Sequence, residues 1–231
     1  MSQAATSILA HLMAVDAERQ RRSQDPDLAR KVNALKAWQQ ARFARTHDDL
    51  LRDARYGAAA RFFLEDLYGP QDFAQRDAQF ARIVPALVKL FPAEVVETVE
   101  ALAALHALSE SLDSQMASQL ADGPIHAGGY GDCWRNTGCR EQRFAQLEMA
   151  LALGRRLERL TRKPLLRHSL RLMRGPARAA GLEALQNFLE RGFEAFATMG
   201  RADQFLAQIE AREGQLMTQL FDGVSSATTP P

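Results

Sequence analysis

The chain has 231 residues, 46% of them hydrophobic and 25% charged, with 14 Gly and 9 Pro; these values match ordinary globular domains and exclude a collagenous, low-complexity or wholly disordered chain. Twenty-nine Lys and Arg against 28 Asp and Glu leave a net charge of +1, so no global charge draws the protein to nucleic acid or to a membrane. Two cysteines exclude a disulfide scaffold.

Arg19, the first basic residue, follows the apolar run Ile8–Val15 instead of preceding it, so no secretory leader is expected. The longest strong apolar run, Ala101–Leu108, contains His106 and falls far short of the roughly 20 residues of a membrane span. Cys133 and Cys139 lie six residues apart, about 9 Å on one helix and beyond disulfide reach. They read as free thiols in a reducing compartment, and the expected location is cytoplasmic.

The apolar period is helical nearly throughout, with no sustained alternation that would mark a strand. A first amphipathic segment runs from about Ser7 to Arg22. Asp25-Pro26 then opens a helix carrying Leu28, Val32, Leu35 and Trp38 at spacings of four, three and three. Asp48 and Asp49 cap the next, which carries Leu50, Leu51, Ala59, Phe62, Phe63 and Leu67 before Gly69-Pro70 stops it. Asp72-Phe73-Ala74-Gln75 resembles a capping box, and Phe80, Ile83, Val84, Leu87, Val88 and Phe91 form one stripe with Pro85 inside it. Pro92 opens a long helix reaching towards Gln119.

Residues 123–138 are glycine-rich and read as a loop plus a short helix. Phe144, Leu147, Leu151, Leu157 and Leu160 define another helix with Gly154 on its inner side, where it permits a close helix contact. Pro164 starts a short helix ending near Gly175-Pro176, and two further stripes follow, Leu182 to Phe196 and Phe205 to Leu220. The expected fold is all-α, an irregular, partly orthogonal bundle of about eight to ten helices. Residues 1–46 are expected to form a helical arm or hairpin packed on a main domain of 47–221, with 222–231 a disordered tail. Large apolar residues expected in the core include Phe62, Phe63, Leu87, Leu102, Leu147, Leu185 and Phe193.

Four features are candidates for chemistry. Arg155, Arg156, Arg159, Arg162, Lys163, Arg167, Arg171, Arg174 and Arg178 crowd residues 154–178, with Glu158 as the one acid among them. Arg167, Arg171, Arg174 and Arg178 are spaced four, three and four, one face if a helix passes Pro176. Such a face suits an anionic protein, a lipid headgroup or a phosphate ligand, because guanidinium donates paired hydrogen bonds. Equally, residues 92–123 carry Glu94, Glu97, Glu100, Glu110, Asp113 and Asp122 without Lys or Arg, and the two stretches can dock on each other within the fold or across a homodimer.

His106 shares a helix face with Val95, Val99 and Leu102 and points inward; it is either a hydrogen-bonded core histidine or a ligand to haem or another metal, with Glu110 one turn on as its ring partner. No second His stands at ligand spacing with it, and neither the E-x-x-H di-iron pattern nor H-E-x-x-H occurs. The glycine-rich interval holds Tyr130, Cys133, Trp134 and Arg135. A thiol beside arginine can have a lowered pKa and aromatics beside arginine can stack on a ligand, but the interval is neither a P-loop nor a usual zinc spacing. A plain interhelical loop is the other reading.

The fourth feature is Phe62 to Tyr68, FFLEDLY. Glu65 and Asp66 are adjacent and diverge by about 100° on a helix, a poor geometry for a shared acid–base site. This heptad resembles the signature of the bacterial FFLEELY-motif proteins, a family of unknown function, with Asp66 where the motif has Glu. The segments RDAQFARIVPALVKLFP, LHALSESLD and RKPLLRHSLRLMRGPARAAGL are similar to that family too, so the likeness spans roughly 49–221. It implies one folded unit and supplies no activity, cofactor or catalytic residue. Taken together, the residues favour a non-enzymatic binding or interaction module with an Arg-rich face; a haem or other cofactor-binding helical sensor using His106 is the alternative, and an enzyme has the least support.

Overall fold

Capping residues set the first two helices. In the computed structural model, which describes residues 2–223, Ser2 accepts a hydrogen bond from the Ala5 amide at 3.3 Å and starts α1 (Gln3–Gln24). Asp25 accepts from Leu28 N at 3.0 Å, with Pro26 at the first position of α2 (Pro26–Thr46). The chain continues through α3 (Asp48–Arg52), α4 (Gly57–Arg61), a π-helical segment (Phe62–Leu67), α5 (Ala74–Leu90) and α6 (Ala93–Ala117). It then forms α7 (Ala127–Thr137), α8 (Arg140–Thr161), α9 (Pro164–Leu172), α10 (Arg174–Ala179), α11 (Glu183–Met199) and α12 (Asp203–Asp222). Among the described residues there is no strand, and the fold is all-α.

Helix α6 is the centre. It packs against α1, α2, α5, α7 and α8, so it buries residues on several sides, among them Val96, Ala103, Glu110, Leu112, Asp113 and Met116. A helix surrounded in this way keeps little solvent face, and its exposed Glu97 lies near its N-terminal end. The apolar residues fall into two clusters. One gathers α1, α4, α5, α8, α11 and the start of α12 around Phe62, Phe80, Phe188, Phe196 and Phe205. The other joins α2, α7 and the ends of α6 and α12 around Leu35, Met116, Tyr130, Trp134 and Leu220.

Several local expectations change. Asp72 bonds Ala74 N at 2.8 Å and precedes a helix that starts at Ala74, so it closes a short turn and not a capping box. The glycine-rich interval keeps its expected form, a loop followed by the short helix α7. The chain turns from α7 into α8 through left-handed Gly138 and Cys139. Arg167 and Arg171 sit on α9 but Arg174 and Arg178 on α10, so the four do not lie on one continuous helix. Pro176 has no N–H for the Leu172 carbonyl, which is where α9 ends. Asp222 closes α12, and the rest of the tail, from 224 on, lies outside the described residues.

Candidate ligand cavity

Between the two apolar clusters runs a cavity of about 280 Å³ whose walls come from both. Helices α5, α6, α8, α11 and α12 contribute Phe80, Leu87, Val99, Leu102, Leu147, Leu151, Phe188, Leu189 and Ile209. The π-helical segment adds Phe63, Leu64 and Leu67. A π turn leaves carbonyls out of the α ladder, and here side chains from elsewhere take two of them. Gln40 Nε2 donates to Leu64 O at 2.8 Å and Arg76 Nη1 to Asp66 O at 2.7 Å. Gly69 follows at φ +133°, and a Cβ there would stand 2.8 Å from Gln40 Nε2. The FFLEDLY heptad thus shapes one wall of the cavity, and the glycine after it, Gly69, makes room for the residue that holds the π turn.

The polar part of the wall is built from buried charges. Glu213 accepts from Arg42 Nη1 at 2.5 Å and lies 2.8 Å from His47 Nε2. Burial alone would raise the Glu213 carboxyl, but Arg42 and His47 outweigh it and hold it at about 2. The Tyr68 hydroxyl donates to Gln39 and Asp113, with Asp113 Oδ2 at 3.1 Å. Burial pushes both Tyr68 and Asp113 up from their ordinary values. Tyr130 lies 3.4 Å from Gln39 Nε2 and stacks on Trp38 with ring centroids 3.9 Å apart. Behind this wall Glu110 is shared by Lys36 and Arg22; burial would raise it, and these two cations bring it down to about 2.

Arg143 differs from the other buried cations. It is 4% exposed and lines the cavity, yet its hydrogen bonds go to neutral atoms: Leu112 O and Gln146 Oε1, both at 3.3 Å, and Met116 Sδ at 3.6 Å. Its guanidinium carbon stands 4.4 Å over the Trp134 ring. Two further N–H groups of lining residues, Trp134 Nε1 and Arg42 Nε, are buried without a partner.

The residues singled out from sequence are distributed unevenly. His106 lines the cavity, and its ring partner is Asp77 at 2.9 Å, not Glu110. Burial would raise Asp77, and His106, Arg76 and Arg19 together hold it well below the usual carboxylate range. Tyr130 and Trp134, one turn apart on α7, both face the cavity. Cys133 points away from it, donates to Gln119 O at 3.2 Å, and has its pKa raised by burial, so the neighbouring arginine does not activate it. Arg135 caps α12 by donating to Leu220 O at 3.1 Å.

The basic segment lies elsewhere. Arg167 and Arg171 pair with Glu194, at 2.7 and 3.2 Å, Arg174 with Glu190 at 2.7 Å and Arg178 with Glu183 at 3.1 Å. Arg162 pairs with Glu158, and Arg159 and Lys163 with Glu94. Arg155 is exposed. Of the acidic stretch, Glu94 and Glu97 meet the basic segment, while Glu110 and Asp113 turn inward. Gln39, Arg42, Arg143 and Glu213 of the cavity wall escaped the sequence reading, although for two of them a signal existed. Gln39 continues the Leu28, Val32, Leu35 stripe, and Arg143 stands one turn before Leu147 and two before Leu151.

Among the described residues no group of three His, Cys, Asp or Glu side chains is arranged to hold a metal ion, and no helix is long and apolar enough to cross a membrane. A family model described as a domain of unknown function, DUF8198, matches residues 18–227. No curated protein and no solved structure matches the chain.

Proposed function

The chain belongs to the DUF8198 family, and from that premise we propose that it is a binding protein holding one small, largely apolar molecule in its central cavity. The observation that carries this reading is the cavity itself, about 280 Å³ between two apolar clusters. An apolar occupant would take these walls out of water, a gain of about 25 cal/mol per Å² of apolar surface covered. The size of about 280 Å³ lies just below the roughly 300–1,000 Å³ of most ligand pockets, and apolar walls with a few polar groups are their usual make-up. The haem alternative rests on His106 alone, whose Nε2 is engaged by Asp77, whereas the apolar walls favour an organic ligand.

The test is titration with Nile red, an uncharged dye whose emission shifts to the blue in apolar surroundings. Saturable one-to-one binding is expected, and Ala150→Phe, which projects into the cavity, should weaken it at least tenfold while leaving the helical circular dichroism intact. Non-saturating binding, or a variant that binds as well as the parent, would refute the assignment.

A second reading keeps the Arg-rich face, Arg155, Arg159, Arg162, Arg167, Arg171, Arg174 and Arg178, as a contact for an anionic lipid surface. It is supported by Leu165, Leu172 and Met173, which stand 79%, 65% and 48% exposed among those arginines, the pattern of an interfacial amphipathic helix. Sedimentation with phosphatidylglycerol vesicles should then fall as salt rises and fall in Arg167→Glu/Arg171→Glu; equal binding to phosphatidylcholine vesicles would dismiss it.

A further inference from the structure

We propose that the ligand of the central cavity carries a carboxylate, received by Arg143 with the indole N–H of Trp134, so that the cavity takes fatty acids or similar apolar monocarboxylates. The inference rests on the cavity reading above and adds the chemistry of the ligand's polar end.

The first ground is charge. Four cations stand around this end of the wall: Arg22 and Lys36 share Glu110, Arg42 has Glu213, and Arg143 has no carboxylate within 4.0 Å among the described residues. Asp113 is the remaining buried acid there. It bonds Tyr68 instead of a cation, and its burial favours the neutral form. The cluster therefore holds more positive than negative charge in a place where an unpaired charge is costly. The cations outnumber the carboxylates whether or not Asp113 is ionised, and the cavity is where a further anion can enter.

The second ground is hydrogen bonding. A guanidinium carries five N–H donors in a planar fork. Arg143 places its three contacts at 3.3–3.6 Å, all on neutral acceptors, at the long edge of useful geometry. Trp134 is 7% exposed, and its Nε1 has no acceptor. Arg42 Nε, also on the lining, has none either. Buried donors are almost always satisfied in native proteins, so a group of unmet ones marks an absent acceptor. A carboxylate supplies two oxygens with the spacing of the guanidinium fork, and an alcohol supplies one without charge. The rest of the wall, from Phe63, Leu102, Leu147 and Ile209, suits a hydrocarbon body.

The experiment displaces Nile red from the full-length, delipidated protein with dodecanoate, dodecanol and dodecyl phosphate, each below its micelle concentration. Dodecanoate should displace the dye at a concentration at least tenfold lower than dodecanol, and lower than dodecyl phosphate. Arg143→Gln should lose the preference for the acid over the alcohol. Trp134→Phe, which keeps the ring and removes the N–H, should reduce it several-fold. Equal displacement by acid and alcohol, no displacement by the acid, tighter binding of the phosphate, or an unchanged preference in Arg143→Gln would each overturn the proposal while leaving the cavity reading standing. Failure of the parent to bind the dye at all would remove that reading first. The acid–alcohol comparison needs no variant, so it decides the matter even if Arg143→Gln does not fold.

Discussion

Glu110 and Asp113 are one helical turn apart on α6, both buried, and they bias stability in opposite directions with pH. Glu110 is held at about 2 by Lys36 and Arg22, below its value of roughly 4.3 in an unfolded chain. A carboxyl lowered on folding stabilises fully above its unfolded pKa, and that contribution disappears as pH falls through the folded one. Glu110→Gln should therefore cost about 3–5 kcal/mol at pH 7, because it leaves two buried cations without their anion. It should also flatten the fall in stability between about pH 4.3 and the folded value of about 2. Urea unfolding at pH 7 and pH 3 measures both; equal losses at the two pH values would contradict the linkage. Asp113 is raised by burial, so its contribution has the other sign: stability declines as pH rises from its unfolded pKa towards the folded one. Asp113→Asn, which stays neutral and can keep a bond to Tyr68, should be as stable as the parent at pH 7 or more so. A loss above about 2 kcal/mol, the cost of a buried polar group left unmet, would mean that the ionised form is required.

At the scale of elements, the segment most exposed to substitution is the π turn and the helix beneath it. Gly192 of α11 faces Phe62, and a Cβ there would stand 2.6 Å from the ring's Cζ. Phe62 is itself stacked on Phe188, centroids 5.5 Å apart, so the ring has nowhere to retreat. Gly192→Ala should cost about 1–3 kcal/mol as overpacking, seen as a lower thermal midpoint, and Phe62→Leu should recover part of it; a neutral Gly192→Ala would show that the ring moves freely. The close contact expected at Gly154 is present, with Leu206 Cδ2 2.7 Å from the position of an added Cβ. Helix existence and several caps were legible because they depend on nearby residues: Asp25-Pro26, Pro92 and Pro164 all stand where helices begin. The π turn was not legible. It depends on Gln40 and Arg76 accepting the duty of hydrogen-bonding carbonyls at Leu64 and Asp66, and no apolar period records that. The end of α9 was legible from Pro176 yet hidden by the regular spacing of the arginines across it.

For the whole molecule, the apolar stripes predict which helix faces turn inward, and the interior those faces enclose holds a cavity. Phe63, Leu102 and Leu147 were expected as core by their spacing; they do lie on inward faces but remain half-buried, because they front the cavity. Hydrophobic periodicity reports which face turns from water and says nothing of whether that face meets side chains or a space. Likewise the FFLEDLY resemblance implied a family without known activity, and DUF8198 is one, so function has to come from the space and its polar end. A cavity kept for a ligand trades stability against binding, and that trade can be measured. Ala150→Leu adds three carbons to the wall. If the space is open, the added side chain gains apolar contacts and the protein should be stabilised by about 0.5–2 kcal/mol, while Nile red and dodecanoate bind more weakly. If neighbouring side chains close the space in solution, the same change is overpacking and should cost about 1–3 kcal/mol. The sign of the shift in the urea midpoint, set beside the change in dye affinity, decides between them: stabilisation with loss of binding is the expected result, and destabilisation with binding unchanged would place the dye elsewhere on the protein.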